Sequence, residues 1–338
     1  MDQKRLKVAF LSRYQNTVNR GVETFVKELS RLLSEKYQVE VLSGKDSDDF
    51  FKMISGKYDF IFSLNGRLQA IKASWGRIFG KYKLIIVGES GIGADDVFNV
   101  AVAKPDVFVG LTDYAITVGS EEKLNWWLWM NRKLRVADTW GWGSKIAKIP
   151  NGVDLDKFTP YGKKIFVDLP KPLILSVGAL TWYKHHEKTV RAFNLLGQGS
   201  LLILGSGPEK KNLENLIRSL GLQERVNILQ VDYQEIPAYY RSADLFVLPS
   251  WDREAFGIAY IEAMASNLPI VAPDDPPRRE IVAEAGILVD VSNTEAYSKA
   301  MREALKKDWG DLPRRQAEKF SWGRVADQYN QLFEKLIR

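Results

Sequence analysis

Short apolar segments alternate with amphipathic helical segments along the whole chain, and this alternation limits the possible folds more than any other feature. In the first half, apolar-rich segments of five or six residues are typical of buried strands. After the first of them, an amphipathic helix at 22–36 places Phe25 and Leu29 on one apolar face. The predicted strands of this half are 7–12, 39–43, 59–64, 83–88 and 106–111.

The second half repeats the pattern. Its predicted strands are 172–178, 200–205, 244–249, 268–272 and 286–290, and its predicted helices are 186–196, 207–221 and 293–307. Strands that alternate with helices form parallel sheets with helices on both faces. Two series of five strands therefore predict an α/β protein with two doubly wound, Rossmann-like domains.

A turn at Pro150, Asn151 and Gly152 marks the predicted domain boundary. We expect one domain over 1–150 and a second over 151–320. A final helix at 321–338 is free to cross back to the first domain.

Composition and charge exclude several classes of protein. The chain is 45% hydrophobic and 27% charged, which is ordinary for a globular protein, and it has no cysteine for disulfides, thiolate metal sites or nucleophiles. No signal peptide or bilayer-spanning apolar run is evident, so we expect a cytoplasmic protein. Residues 1–151 hold 23 Lys and Arg against 17 Asp and Glu, whereas 152–338 hold 25 of each. This positive excess either has no functional meaning or faces an anionic surface or acceptor.

Two carboxylates, Glu254 and Glu262, stand where a predicted strand gives way to a helix. A helix N-terminus presents free backbone N–H groups and favours a phosphate. Gly257 has no side chain to keep that phosphate away. The segment Phe256-Gly257-Ile258 is therefore predicted to cradle a diphosphate between two sugar-contacting acids.

Several further motifs follow one another in a fixed order. They are IPNGVD (149–154), VGAL (177–180) followed by Lys184, GSGPE (205–209), EIPAYYRSADLFVLPS (235–250), EAFGIAYIEAMASNLPIVAP (254–273), REIV (279–282) and AGILVD (285–290). As a set, they resemble the donor domain of the retaining glycosyltransferases of family 4, which have the GT-B architecture. This resemblance implies that the two Rossmann-like domains face each other across a cleft. The resemblance is dense from about 150 to 290 and reaches the first half through RGVETFVKELSRLL (20–33).

This resemblance implies a hexosyltransferase that moves a hexose-type sugar from a nucleotide-diphosphate-sugar donor to an acceptor hydroxyl, with retention at the anomeric carbon. The first domain would bind the acceptor and the second the nucleotide sugar. Glu254 would contact the donor sugar near the reacting carbon, and Lys184 would offset the charge of the departing diphosphate. These two residues are the expected catalytic pair.

The remaining donor contacts also follow from the resemblance. Glu262 would bond the ribose hydroxyls, and the backbone N–H groups of Phe256, Gly257 and Ile258 would hold the diphosphate. Gly21 would let the N-terminal loop approach the same phosphates. No metal or other cofactor is expected, because a cation and helix dipoles do that work.

The chain departs from the family pattern near the diphosphate. Ala179 stands where the family usually has Arg, and the first loop reads Arg20-Gly21 where two glycines are usual. One cationic partner is therefore missing or is replaced by Arg253, Arg278 or Arg279.

The acceptor side departs as well. Many relatives carry a His in the N-terminal domain, but both histidines of this chain, His185 and His186, lie in the second half. The corresponding loop offers Glu89, Asp95 and Asp96 instead. The expected acceptor is a glycan, a lipid-linked compound or a small molecule.

An aromatic segment at 123–145 holds five of the ten tryptophans. Rings interleaved with cations suit a peripheral contact with the inner face of a membrane. The same rings would also suit packing within the first domain or the lining of a sugar cleft. Nucleic acid is not an expected partner. The candidate contact residues are Trp126, Trp127, Trp129, Arg132 and Lys133.

Two rival functions and two minor motifs complete the sequence analysis. A dinucleotide-dependent oxidoreductase would need G-x-G-x-x-G after the first strand, but this chain has SRYQN (12–16) there, which argues against that function. A non-catalytic binding module or partner subunit that kept the fold is the stronger alternative. GSGPE either contacts the nucleotide or only turns a strand into a helix. His185 and His186 make a poor metal pair, because adjacent side chains project apart.

Overall fold

The computed structural model describes residues 5–17, 21–64, 67–88, 99–100, 102–113, 145–166, 168–250 and 254–337. The chain divides into two units: a first unit of Met1–Gly152 with Trp322–Arg338, and a second unit of Val153–Ser321. It therefore passes into the second unit after Gly152 and returns to the first after Ser321.

Each unit contains a parallel sheet, and six strands of each lie in the described part of the chain. The first sheet has the order β2-β1-β3-β4-β5-β6, and the second has the order β12-β11-β10-β7-β8-β9. The strands are β1 Lys7–Ser12, β2 Gln38–Ser43, β3 Phe60–Ser63, β4 Lys83–Gly88, β5 Val107–Gly110, β6 Lys145–Lys148, β7 Leu173–Val177, β8 Ser200–Leu204, β9 Val226–Leu229, β10 Leu245–Val247, β11 Ile270–Pro273 and β12 Gly286–Val289.

Helices connect the strands on both faces of each sheet, as a parallel sheet requires. The α-helices among the described residues are α1 Gly21–Leu33, α2 Phe50–Ser55, α3 Arg67–Gly80, α4 His186–Leu196, α5 Lys210–Ser219, α6 Ile236–Tyr240, α7 Ile258–Ala265, α8 Pro276–Val282, α9 Thr294–Lys306, α10 Leu312–Glu318 and α11 Trp322–Ile337. The predicted α/β class with two doubly wound, Rossmann-like sheets is confirmed. No helix in these ranges is long and apolar enough to cross a bilayer.

Two strands, β6 and β9, were not predicted from the sequence. Both lie at the edges of their sheets. An edge strand need not be apolar throughout. The sequence of β6, KIAK, alternates charged and apolar residues, and β9 is largely exposed. Neither therefore gives the continuous apolar run of a central strand.

The final helix α11 contributes to the core of the first unit. Phe333 is fully buried, and its ring stacks on that of Phe60 with 4.4 Å between centroids. The same ring meets Tyr37 edge-on at 5.2 Å. Tyr329, also fully buried, meets Phe25 of α1 edge-on at 6.1 Å. The last residues of the described chain thus complete the core that the first residues begin.

The strand order of the second sheet determines where its loops open. From β7 the chain builds outward to β8 and β9, and then returns to β10 on the other side of β7. The connections that follow β7 and β10 therefore leave the sheet in opposite directions. Such a switch point leaves a crevice at the carboxyl ends of the two strands, which is where ligands bind in folds of this kind.

Candidate functional site

The loops after β7 and β10 bring Lys184 and Glu254 into direct contact. Lys184 ends a short 3₁₀ turn, Trp182–Lys184, and His185 after it adopts a left-handed conformation with φ of 54°. The Lys184 ammonium forms an ion pair with Oε2 of Glu254. The two side chains are only 17% and 12% exposed. The predicted catalytic pair therefore lies at the switch point, largely shielded from bulk water.

The environment of Glu254 favours its charged form. Burial alone would raise the pKa of this carboxyl, but the charge and hydrogen bond of Lys184, helped by Arg278 and Ser250, hold the pKa below its usual value. Glu254 is consequently a carboxylate at neutral pH and acts as a hydrogen-bond acceptor. A sugar hydroxyl is the kind of group that such a carboxylate binds.

The N-terminus of α7 lies just beyond Glu254. Gly257 precedes the helix with φ of 87° and ψ of 68°, and no side chain caps this end. A Cβ atom on Gly257 would lie 2.5 Å from the ring of Tyr260, whose hydroxyl donates to the carbonyl of Leu248 at 2.6 Å. Only glycine fits here, because both the backbone angle and the tyrosine exclude a side chain. The first-turn N–H groups, beginning with Ile258, remain without a side-chain cap and suit an anion.

Phe256 contributes to this region through its backbone. Its side chain is buried, and its ring meets that of Phe320 edge-on at 5.7 Å within the second unit. The ring therefore belongs to the core and leaves only the backbone at this position for a ligand.

Glu262 lies on α7 and is buried beneath two tyrosines. Its Oε1 accepts from the Tyr233 hydroxyl at 2.7 Å, and its Oε2 accepts from the Tyr240 hydroxyl at 3.2 Å. The ammonium of Lys157 lies 3.6 Å above the ring of Tyr233. Burial raises the pKa of Glu262 to about 7, against the lowering effect of both hydroxyls and of Lys157. Sequence reasoning identified Glu262 but missed Tyr233, Tyr240 and Lys157, since no pattern marks which polar groups converge on it.

Arg278, one of the candidate partners of the diphosphate, is buried within the protein. Its side chain is 1% exposed, and its Nε donates to Oδ2 of Asp275 at 3.0 Å. Its Nη1 donates to the backbone carbonyl of Glu254, also at 3.0 Å. Asp275 in turn caps α8 by accepting from the Arg278 N–H. Arg278 therefore holds the backbone of Glu254 in place from within the protein.

Of the other two arginine candidates, only Arg279 lies among the described residues. Arg279 is exposed and pairs with Asp274, with 2.6 Å between Nε and Oδ1. Arg253 lies outside the described residues. The sequence DPPR, with a capping residue before two prolines, indicates the start of α8. It does not indicate that Arg278 turns inward.

The GSGPE loop lies directly on the backbone that follows β7. A Cβ atom on Gly205 would be 2.0 Å from the carbonyl oxygen of Gly178, and one on Gly207 would be 2.4 Å from that of Leu180. Both glycines are thus required for close packing, which supports the structural reading of this motif. The helix after it begins at Lys210.

The adjacent histidines, His185 and His186, have separate surroundings. His186 is buried, its Nδ1 lies 3.3 Å from the Ser176 hydroxyl, and burial lowers its pKa to about 4. His185 lies instead beside Glu187, 3.5 Å from Nδ1 to Oε1. Within the described ranges, no three His, Asp or Glu side chains gather in a way that could hold a metal ion.

Several predicted site residues lie in the other unit or outside the described residues. Gly21 is the first residue of α1, in the first unit. Its predicted approach to the phosphates stays a prediction. The acceptor-side candidates and the aromatic candidates lie outside the described residues. They are Glu89, Asp95, Asp96, Trp126, Trp127, Trp129, Arg132 and Lys133.

Comparison with known protein families gives a match that lies within the second unit. Residues 159–320 match the family described as glycosyl transferases group 1. The chain is 27% identical over 195 residues to a GDP-mannose-dependent alpha-(1-6)-phosphatidylinositol monomannoside mannosyltransferase of Mycolicibacterium smegmatis. This alignment covers 51% of this chain and 50% of the relative. It is 32% identical over 201 residues to a D-inositol 3-phosphate glycosyltransferase of Mycobacteroides abscessus, covering 54% of this chain and 45% of the relative. The matched region thus spans half or less of these relatives.

Solved structures match over nearly the whole chain. Sucrose-phosphate synthase from Thermosynechococcus elongatus superposes with a TM-score of 0.75 at 20% identity, covering 98% of this chain and 99% of that structure. HepE of Anabaena in complex with UDP superposes with a TM-score of 0.74 at 16% identity, covering 98% and 100%. At these identities the likeness shows the fold. Residues 159–320 are therefore similar to the glycosyl transferases group 1 family, in a chain that has the GT-B fold.

Proposed function

We propose that this chain is a retaining glycosyltransferase of family 4 that moves a hexose-type sugar from a nucleotide-diphosphate donor to an acceptor hydroxyl. One observation carries the proposal. The Lys184–Glu254 ion pair lies at the switch point of the second sheet, a few residues from an uncapped helix N-terminus that only glycine can precede. A cation, a carboxylate and free N–H groups are what a sugar diphosphate needs.

Each group has a distinct role in this proposal. The first-turn N–H groups of α7 hold the diphosphate, and Lys184 turns from Glu254 to the same phosphates when the donor enters. Glu254, released from that ion pair, accepts from a hydroxyl of the donor sugar. Glu262 accepts from the ribose hydroxyls, which requires Tyr233 or Tyr240 to yield its hydrogen bond.

The transfer step breaks the bond between the anomeric carbon and the phosphate oxygen and forms one to the acceptor oxygen. The acceptor attacks from the side that the diphosphate leaves, and its proton passes to the leaving phosphate oxygen. Configuration is retained without a protein base. Lys184 and the dipole of α7 stabilise the charge that develops on the diphosphate, so we propose that no metal is required.

The acceptor that we propose is a glycan or a lipid-linked compound, met while the chain is peripherally bound to a membrane. The name of the mannosyltransferase among the relatives includes phosphatidylinositol monomannoside. The excess of positive charge in residues 1–151 supports the same choice.

Donor binding is tested by thermal stabilisation with UDP, GDP, ADP, their sugars and NAD. A ligand at 100 times its Kd stabilises the native state by about 2.7 kcal/mol. We expect a rise in Tm with one nucleotide diphosphate and none with NAD. A rise with NAD alone, or with none of the compounds, contradicts the proposal.

Catalysis is tested with Glu254→Gln and Lys184→Met, and with Lys210→Met on the exposed face of α5 as the matched control. Loss of a group that stabilises transition-state charge costs on the order of 10²–10³ in rate, so transfer to a glycan or lipid acceptor should fall by that factor in the first two variants only. Calorimetric melting confirms that each variant folds.

A wild-type chain that binds a nucleotide sugar but transfers and hydrolyses nothing would instead be a binding module, an alternative that the replacement of the usual Arg by Ala179 keeps open.

A further inference from the structure

Helix α3 has its large apolar side chains on the outside. A surface helix normally buries its apolar stripe and exposes its polar one. In α3 the positions Leu68, Trp75 and Ile78 follow helical spacing and face solvent. With Phe79 of α3 and Phe51 of α2, they form a set that we call the aromatic face. Its exposed fractions are Phe51 78%, Leu68 72%, Trp75 65%, Ile78 73% and Phe79 66%.

The buried side of α3 is made of small residues and of Gln69 instead. Ala70 and Ala73 are buried, and the Tyr82 hydroxyl donates to the Ala73 carbonyl at 2.6 Å. A Cβ atom on Gly76 would lie 2.5 Å from that hydroxyl, and one on Gly80 would lie 2.7 Å from the same ring. The helix is therefore fixed to its unit through its small residues and through Gln69, whose Oε1 accepts from the backbone N–H of Leu64 at 3.1 Å. The large residues of the outer stripe are not needed to hold it there.

Helix α2 extends the aromatic face. Asp49 caps α2 by accepting from the N–H groups of Phe51 and Lys52. The ring of Phe50 meets that of Phe51 at 5.9 Å and that of Phe79 at 6.3 Å, so the rings of the two helices are continuous. Exposed apolar surface on the order of several hundred Å² results, which in soluble proteins marks a contact with a partner or a membrane.

The charges around the aromatic face are predominantly positive. From 67 to 88 the chain holds five Lys and Arg residues and no Asp or Glu. Lys57 and Lys81 are exposed at the ends of α2 and α3. Of the nearby acids, Asp46 pairs with Lys52 at 2.6 Å and Asp106 with Arg77 at 3.0 Å, whereas Asp49 caps α2. Lysine is depleted at protein interfaces, whereas aromatic rings with surrounding lysines suit the headgroup region of an anionic bilayer.

We propose that the aromatic face is the surface through which the first unit lies on an anionic lipid bilayer. Trp75, Phe79 and Phe51 enter the headgroup layer, and the surrounding lysines contact lipid phosphates. This proposal deepens the membrane association proposed above, but it depends neither on the transfer chemistry nor on the residues that the structure does not describe.

The test is flotation of the intact chain with vesicles, without any donor or acceptor. One set of vesicles contains phosphatidylcholine only, and the other also contains phosphatidylglycerol. The variant Trp75→Ser/Phe79→Ser removes two exposed rings of the face. Phe166→Ser removes a ring that is 89% exposed in the second unit and serves as the matched control. Lys57→Glu/Lys81→Glu tests the charge.

We expect the wild type and Phe166→Ser to bind the anionic vesicles at least ten times more tightly than the neutral ones, with weaker binding at higher salt. The aromatic and charge variants should each lose at least ten-fold in binding while keeping the wild-type Tm. Equal flotation of wild type and aromatic variant overturns the proposal. So does self-association that sedimentation velocity shows in the wild type and not in Trp75→Ser/Phe79→Ser, since the face would then bind protein. Because donor binding is measured separately, failure of the transferase proposal would leave this result intact.

Discussion

The carboxyl of Glu262 makes the stability of the second unit depend on pH. In an unfolded chain this group titrates at its ordinary 4.5, whereas in the folded unit burial raises the pKa to about 7. Between these two values the folded state holds a proton that the unfolded state has lost. Stability from this group is therefore fully present below pH 4.5 and is lost as pH rises toward 7.

The size of the effect follows from the two pKa values. At 1.36 kcal/mol for each tenfold change in proton affinity, the whole loss is roughly 3 kcal/mol. About 2.5 kcal/mol of it falls between pH 5 and pH 8. In a unit of this size, 1 kcal/mol corresponds to about 2–4 °C in Tm. The expected shift is roughly 5–10 °C.

The perturbation that isolates this effect is Glu262→Gln. Glutamine keeps the shape of the side chain and an oxygen for the tyrosine hydroxyls, but it does not ionise. We expect the Tm of the variant, relative to wild type, to be roughly 5–10 °C higher at pH 8 than at pH 5. Differential scanning calorimetry measures the transition of the second unit at both values, and all other titrating groups cancel in the difference. Glu214→Gln, an exposed carboxyl on α5, is the control and should show no such change.

The same Tm difference between Glu262→Gln and wild type at both pH values would refute this reasoning. It would mean that the buried carboxyl titrates as an ordinary one. A change confined to pH below 4.5 would do the same, because it would place the folded pKa below the unfolded one.

Three further substitutions test the residues that hold the candidate site in shape and the core of the first unit. Gly257→Ala should destabilise the second unit by about 1–3 kcal/mol, because alanine is strained at this positive φ and its Cβ would clash with the ring of Tyr260. Stabilisation by the donor should also disappear, and an unchanged Tm would show that the position is not strained. Arg278→Met should cost about 1–3 kcal/mol, because it leaves the partly buried Asp275 without its cation and the carbonyl of Glu254 without its donor; Asp275→Asn in the same chain should recover part of that loss in calorimetry. Phe333→Ala should cost the first unit about 3–5 kcal/mol and leave the transition of the second unit in place, and a single common shift of both transitions would contradict this.

The central strands could be predicted from the sequence because they are buried on both faces and read as continuous apolar runs. The edge strands β6 and β9 could not, because exposure removes that requirement. Helix α3 also escaped prediction. The amphipathic pattern used to find helices assumes that large apolar residues point inward. In α3 the small residues point inward and the large apolar residues are exposed.

The candidate site also contains residues that could be predicted from the sequence and residues that could not. Lys184 and Glu254 lie far apart in sequence, but the motifs place them after strands that parallel pairing brings side by side. Gly257 could be predicted because its role depends on its own backbone. The inward turn of Arg278 and the two tyrosines over Glu262 could not, because these contacts are set by packing between segments whose spacing carries no pattern.

Helix α11 has a consequence for how the chain is made. Its Phe333 and Tyr329 complete a core that includes Phe60 and Phe62, yet a ribosome produces them only after the entire second unit. At about 5–20 residues per second, synthesis of that unit takes roughly ten to thirty seconds. During this time the first unit has emerged without the helix that covers its aromatic side chains. The second unit is thus able to finish folding before the first, and we expect the first unit to be the more prone to aggregate during synthesis.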